Sequence, residues 1–119
     1  MTHTEIQASV QKTASFTGAG VSISGITLDW TLKLQVSQLT AGAIARFTFQ
    51  ESVDGFTTVL AGPTWEFKGD IEASFDHVKS VKKQDFPGMD FGVSGGQLRL
   101  ALTELTAASS VTFHGWSES

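Results

Sequence analysis

From Ile26 to Val36 every second residue is large and apolar: Ile26, Leu28, Trp30, Leu32, Leu34 and Val36 alternate with Thr27, Asp29, Thr31, Lys33 and Gln35. A period of two puts one set of side chains in a core and the other in water, so the run predicts a β-strand. Leu28, Trp30, Leu32 and Leu34 are expected to share the buried face. The same alternation recurs in Ile6, Ala8 and Val10, continues through Ala14 and Phe16, and is interrupted by Lys12. It returns in Ala45, Phe47 and Phe49, in Trp65 and Phe67, in Leu98, Leu100 and Leu102, and in Val111 and Phe113. Thr, Val, Ile and Phe dominate these runs, as a pleated, half-buried surface requires.

Turn-forming residues separate the runs. They are Gly18-Ala19-Gly20, Ser24-Gly25, Ala41-Gly42, Asp54-Gly55, Gly62-Pro63, Phe86-Pro87-Gly88 and Gly95-Gly96. Short strands at this spacing predict a mainly β fold. The expectation is an antiparallel β-sandwich, jelly-roll-like, with seven to eight strands and at most one short helix. No repeat, low-complexity tract or linker divides the chain, so residues 1–119 read as a single domain.

One segment, Asp70 to Lys83, fits two patterns. As a helix, Asp70 would be the N-cap, and Ile71, Phe75 and Val78 would share a face, with Lys79, Lys82 and Lys83 at the C-terminal end. As strand, Ile71, Ala73 and Phe75 alternate and Val81 keeps the parity. The β context tips the choice to strand, because a lone helix needs a surface to dock on.

Composition narrows the chemistry. The 119 residues contain no Cys, which removes disulfides, thiol catalysis and Cys-ligated metals. Eight basic against twelve acidic residues leave a net charge of −4, a poor match to a nucleic-acid backbone. The apolar runs are too short to span a bilayer as helices. Met1-Thr2-His3-Thr4-Glu5 lacks the basic-then-apolar pattern of a secretory leader.

Gly92-Val93-Ser94-Gly95-Gly96 matches the G-x-S-x-G pattern of a nucleophile elbow, which needs a strand before it and a helix after it. The following Gln97-Leu98-Arg99-Leu100-Ala101-Leu102 alternates like strand, so a Gly-rich turn explains the pattern and no catalytic residue is assigned. His3, His77 and His114 lack metal-ligand spacing, and His114 has the opposite parity to Phe113, which makes it an outward strand histidine. Asp54-Gly55 reads as a turn, and no calcium loop is present. No metal, cofactor or catalytic set is expected. His77, Lys79, Lys82 and Lys83 form a basic cluster that could dock on an acidic partner. Of the tryptophans, Trp30 reads as core, Trp65 as core or rim, and Trp116 as a contact candidate near the C-terminus. The apolar set Ile6, Val10, Ala14 and Phe16 must be buried, either in the chain's own sandwich or on a neighbour. Candidate partner-binding residues are therefore Ile6, Val10, Lys79, Lys82, Lys83 and Trp116.

The strand Thr27-Leu28-Asp29-Trp30-Thr31-Leu32-Lys33-Leu34-Gln35-Val36, the hairpin phrase Phe47-Thr48-Phe49-Gln50-Glu51-Ser52-Val53-Asp54-Gly55-Phe56, Leu98-Arg99-Leu100 and Ser109-Ser110-Val111-Thr112-Phe113 together resemble a group of small β-sandwich proteins of tailed phages and prophages. The resemblance implies a non-enzymatic virion structural role, of head-decoration or small tail or spike type, with no catalytic residues. It also implies assembly in the host cytoplasm, with self-association and a major capsid or other virion protein as partners. Neither nucleic acid nor membrane is an expected partner. Discoidin-like and other sugar-binding sandwiches share the Ser-x-Asp-Gly-aromatic turn, so a carbohydrate- or receptor-binding module is the second reading.

Overall fold

The computed structural model describes residues 3–23, 31–69, 77–82 and 96–118. Leu28, Trp30, Lys83, Ser94, the segment 70–76 and the turns at Ser24-Gly25 and Phe86-Pro87-Gly88 lie outside the described residues. Nine extended segments occur among the described residues: β1 (His3–Lys12), β2 (Phe16–Thr17), β3 (Val21–Ser22), β4 (Thr31–Leu39), β5 (Ile44–Ser52), β6 (Leu60–Lys68), β7 (His77–Lys82), β8 (Gln97–Leu105) and β9 (Val111–Glu118). β2 and β3 both pair with β8 and act as one edge strand broken at Gly18-Ala19-Gly20, which leaves eight strand positions. Residues 77–82 are strand, as the β context suggested.

All pairings are antiparallel. β5 pairs with β6, β4 with β7, β2 and β3 with β8, and β1 with β9. The chain is thus a two-stranded ribbon doubled back on itself at the β5–β6 turn. Wrapping this ribbon brings β4 against β9 and β5 against β8. The result is one sheet in the order β1-β9-β4-β7 and a second in the order β2-β8-β5-β6, with β3 beside β8. This path is a jelly roll, a β-sandwich whose two faces close on one core.

The core follows from strand parity. Leu32, Leu34 and Val36 of β4 and Val111 and Phe113 of β9 face Ala45, Phe47 and Phe49 of β5 and Leu98, Leu100 and Leu102 of β8, all essentially buried. Burying side chains of this size contributes roughly 1.5–3 kcal/mol each. Ile6 joins the same core from β1 at 3% exposure, so the N-terminal strand closes the chain's own sandwich. Phe113 packs edge-on against Phe47 at 4.9 Å, and Phe47 edge-on against Phe67 at 5.8 Å.

Bulges break the alternation in several places. Between Val36 and Gln38 the register of β4 on β9 slips by one residue, so that Leu39, not Gln38, returns to the core. Two slips in β1 likewise bury Ile6 but leave Ala8 exposed and Val10 half-buried. Ala14 is exposed in the turn before β2, contrary to the expectation that it is buried. Phe16 is half-buried against Phe113 at 6.3 Å, under the Lys12 ammonium 4.1 Å from its ring centre. Gly62-Pro63, expected as a turn, lies within β6. There the register slips between Thr48 and Gln50, and β6 is an edge strand, where proline's missing N–H costs no ladder bond.

The β5–β6 connection is held by a clasp. Ser52 Oγ donates to Asp54 Oδ1 at 2.7 Å and accepts from the amides of Asp54 (3.2 Å) and Phe56 (2.9 Å). Asp54 Oδ1 also accepts from the Thr58 amide at 2.9 Å. Gly55 and Phe56 follow with φ of 70° and 66°. Only the glycine takes this conformation freely, so the clasp holds Phe56 against its own preference.

Two measurements check this account. Gly115 faces inward, where an added Cβ would lie 3.2 Å from Leu100 Cδ2 and 3.3 Å from Phe49 Cζ. Gly115→Ala should therefore cost about 1–3 kcal/mol in urea unfolding at an unchanged m value. Phe47→Ala should cost about 3–5 kcal/mol. Equal stability of either variant and the parent would contradict the packing. Asp54 is held below its ordinary value of 3.8, chiefly by the Ser52 hydroxyl and then by the Thr58 amide. A depressed carboxylate gives its full contribution above its unfolded pKa and loses it as pH falls through the folded one. The Phe56 and Thr58 amide resonances should therefore titrate together below 3.8, and both should already be displaced at neutral pH in Asp54→Ala. Amides that stay still through that range would contradict the clasp.

Candidate functional site

Because Phe113 faces the core, its neighbours of opposite parity must face out. His114, Trp116 and Glu118 therefore line the outer surface of the four-stranded sheet, along the C-terminal half of β9, which is paired on both sides. Trp116 is flanked in register by Glu5 of β1 and by Lys33 of β4. The five side chains form one continuous polar and aromatic chain. Glu5 Oε1 accepts from His114 Nε2. The His114 ring stacks on Trp116 with centroids 4.6 Å apart and planes 26° apart. Trp116 Nε1 donates to Glu118 Oε1 at 3.0 Å, and Lys33 Nζ meets Glu118 Oε2 at 2.9 Å.

The patch ties three strands together and stays accessible, since its charged groups range from 22% to 47% exposed. It presents an indole beside two carboxylates and an ammonium, which suits hydrogen bonding and aromatic contact with a polar surface. It offers no built nucleophile. His114 and Glu5 are two metal-type donors, and no third His, Asp or Glu among the described residues joins them.

Five of the partner-binding candidates lie in this sheet, but not all on its outer face. Ile6 and Val10 sit on its β1 edge, Lys79 and Lys82 on its β7 edge, and Trp116 between. In register, Lys79 lies opposite Leu34 and Lys82 opposite Thr31. Ile6 is spent on the core, and Val10, opposite Phe113, packs half-buried against the same core. Trp65 is half-buried, edge-on to Phe49 at 5.9 Å, in the other sheet. His3 and His77 enter only as strand positions paired with Glu118 and Val36.

Sequence reasoning missed Glu5, Lys33 and Glu118. Glu5 and His114 lie 109 positions apart, and only the β1–β9 register brings them together. Lys33 carried a signal, its outward parity on the strongest strand. Comparisons of the chain with protein families, with curated proteins and with solved structures find no match.

If the Glu5–His114 contact fastens β1 to the sheet, Glu5→Ala should speed amide exchange in residues 3–5 while changing global stability by less than about 1 kcal/mol, as exposed pairs do. Unchanged exchange would remove the fastening role.

Proposed function

We propose that this chain is a non-enzymatic structural component of a tailed-phage or prophage particle, of the head-decoration type. In this reading it assembles in the host cytoplasm and docks on a capsid or other virion protein through the outer face and edges of its four-stranded sheet. The observation that carries the reading is the outward row of His114, Trp116 and Lys33 across that sheet, with Lys82 at its β7 edge opposite the outward Thr31. The jelly-roll path is a fold-level analogy in its favour, because capsid domains use this architecture. The Ser52-Val53-Asp54-Gly55-Phe56 hairpin adds the sequence resemblance.

A second reading rests on one specific feature. Trp116 stands among Glu5, Lys33 and Glu118, and an aromatic ringed by hydrogen-bonding groups also suits a sugar. Under that reading the same patch belongs to a carbohydrate- or receptor-binding module.

Sedimentation separates the two. Gradient-purified particles of the phage or prophage that encodes the chain should contain it in stoichiometric amount. Re-addition of Trp116→Ala or Lys33→Glu protein to particles stripped of it should bind about tenfold more weakly, the loss of one good contact residue. A chain that stays monomeric and never travels with particles, yet shifts on a glycan array, would replace the virion reading with the sugar-binding one.

A further inference from the structure

The chain has two arginines, Arg46 and Arg99, and both lie on the outer face of the second sheet. Their surroundings differ sharply. Arg46 is neutralised within the chain, with Nε 2.7 Å from Glu66 Oε2 and Nη1 2.9 Å from Glu104 Oε2. Arg99 is half-buried and is held by neutral groups. Its Nε donates to Gln50 Oε1 at 2.8 Å, and its guanidinium lies over the Phe56 ring, 4.0 Å from the centroid. Among the described residues no carboxylate pairs with Arg99, and its terminal nitrogens make no hydrogen bond.

Considerable structure serves to hold this guanidinium still. The Ser52–Asp54 clasp fixes Phe56 at positive φ, a conformation that costs a non-glycine residue free energy and that concentrates at functional sites. Gly20 leaves room for the ring, since a Cβ there would lie 2.6 Å from Phe56 Cε2. Neutral contacts fix the orientation of the fork without cancelling its charge. The free side of a fixed guanidinium matches a carboxylate in two parallel hydrogen bonds.

The same hairpin carries exposed aliphatic side chains. Val53, Val59 and Leu60 are 59%, 41% and 46% exposed. In register, Arg99 lies opposite Gln50 and Gln50 opposite Ala61, on the outer face, whereas Leu60 lies opposite Glu51, and Glu51 opposite the buried Leu98, on the core side. An arginine that no carboxylate among the described residues matches, lying over an aromatic ring, has the makeup of an interface anchor.

We propose that Arg99, held over Phe56, forms a docking site for a partner protein that presents an Asp or Glu side chain. The partner's carboxylate takes the free fork of Arg99. The site deepens the assembly reading by placing a second contact on the sheet opposite the Trp116 patch, and it rests on that reading only for the kind of partner.

The test is an NMR titration of the full chain with acetyl-Leu-Asp-Leu-amide, with its Leu-Asn-Leu counterpart, and with trigalacturonate as an acidic sugar. The Asp peptide should shift the Arg99 Nε–H resonance and the Phe56 amide saturably with Kd about 1 mM. The Asn peptide should bind about tenfold more weakly, because one partner of the charge-assisted pair is gone. Arg99→Gln should abolish the response, and Arg99→Lys should weaken it about tenfold for want of the fork. No saturable shift, equal binding of the two peptides, or an unaltered response in Arg99→Gln would each overturn the proposal. Binding of trigalacturonate in preference to the Asp peptide would overturn its assignment to a protein partner. Peptide binding through Arg99 by a chain that never sediments with particles would support this site and sink the virion reading. Particle association without any peptide response would do the reverse.

Discussion

Phe113 of β9 lies edge-on to Phe47 of β5 and tilted against Phe16 of β2, so one ring of the four-stranded sheet engages two strands of the other. Phe47 passes the contact on to Phe67 of β6. This row of rings fixes which parity of each strand faces inward, and a slip by one residue would expose the whole apolar set. The outer faces are consequences of it. Once Phe113 is inside, His114 and Trp116 must be outside beside Glu5 and Lys33. Once Phe47 and Phe49 are inside, Arg46 and Gln50 must be outside, and Gln50 meets Arg99 across the β5–β8 pairing. Both candidate surfaces are thus written by the core.

Strand identity was legible because parity is local. Leu32, Leu34 and Val36, the Ala45 to Phe49 run, Leu98 to Leu102 and Val111 to Phe113 are buried where alternation puts them. Bulges were not legible. An inserted residue leaves no mark on the hydrophobic pattern until the partner strand is known, which is why Ala8 is out while Ile6 is in, and why Leu39 follows Val36 at an odd spacing. Gly62-Pro63 misled for a related reason. The pair signals a turn in most contexts, but an edge strand with a bulge accommodates it, and edge position is a property of topology.

The same distinction governs the sites. Trp116 could be singled out from its position and chemistry alone. Its setting could not, because Glu5 reaches it through the pairing of the first strand with the last, and Glu118 through a side-chain bond. The Ser52-to-Phe56 phrase was recognisable as a turn. That the turn delivers an aromatic ring to Arg99, some forty positions on, depends on the ribbon wrapping β8 beside β5.

The two outer faces solve their charge balance differently, and the difference bears on what each can do. On the four-stranded sheet Lys33 and His114 are each answered by a carboxylate of the same chain. Exposed pairs of that kind are worth roughly 0–1 kcal/mol, so a partner can exchange them at little cost. On the second sheet Arg46 is answered twice over, and a partner gains little by approaching it. Arg99 is ordered by an amide and a ring, neither of which screens its charge. Ordering a long side chain before binding lowers the entropy a partner must overcome, and leaving its charge unmatched preserves the attraction. A guanidinium oriented by neutral groups and matched by no carboxylate among the described residues suits an outside carboxylate in a way that the saturated Arg46, four residues from Gln50 on the same strand, does not.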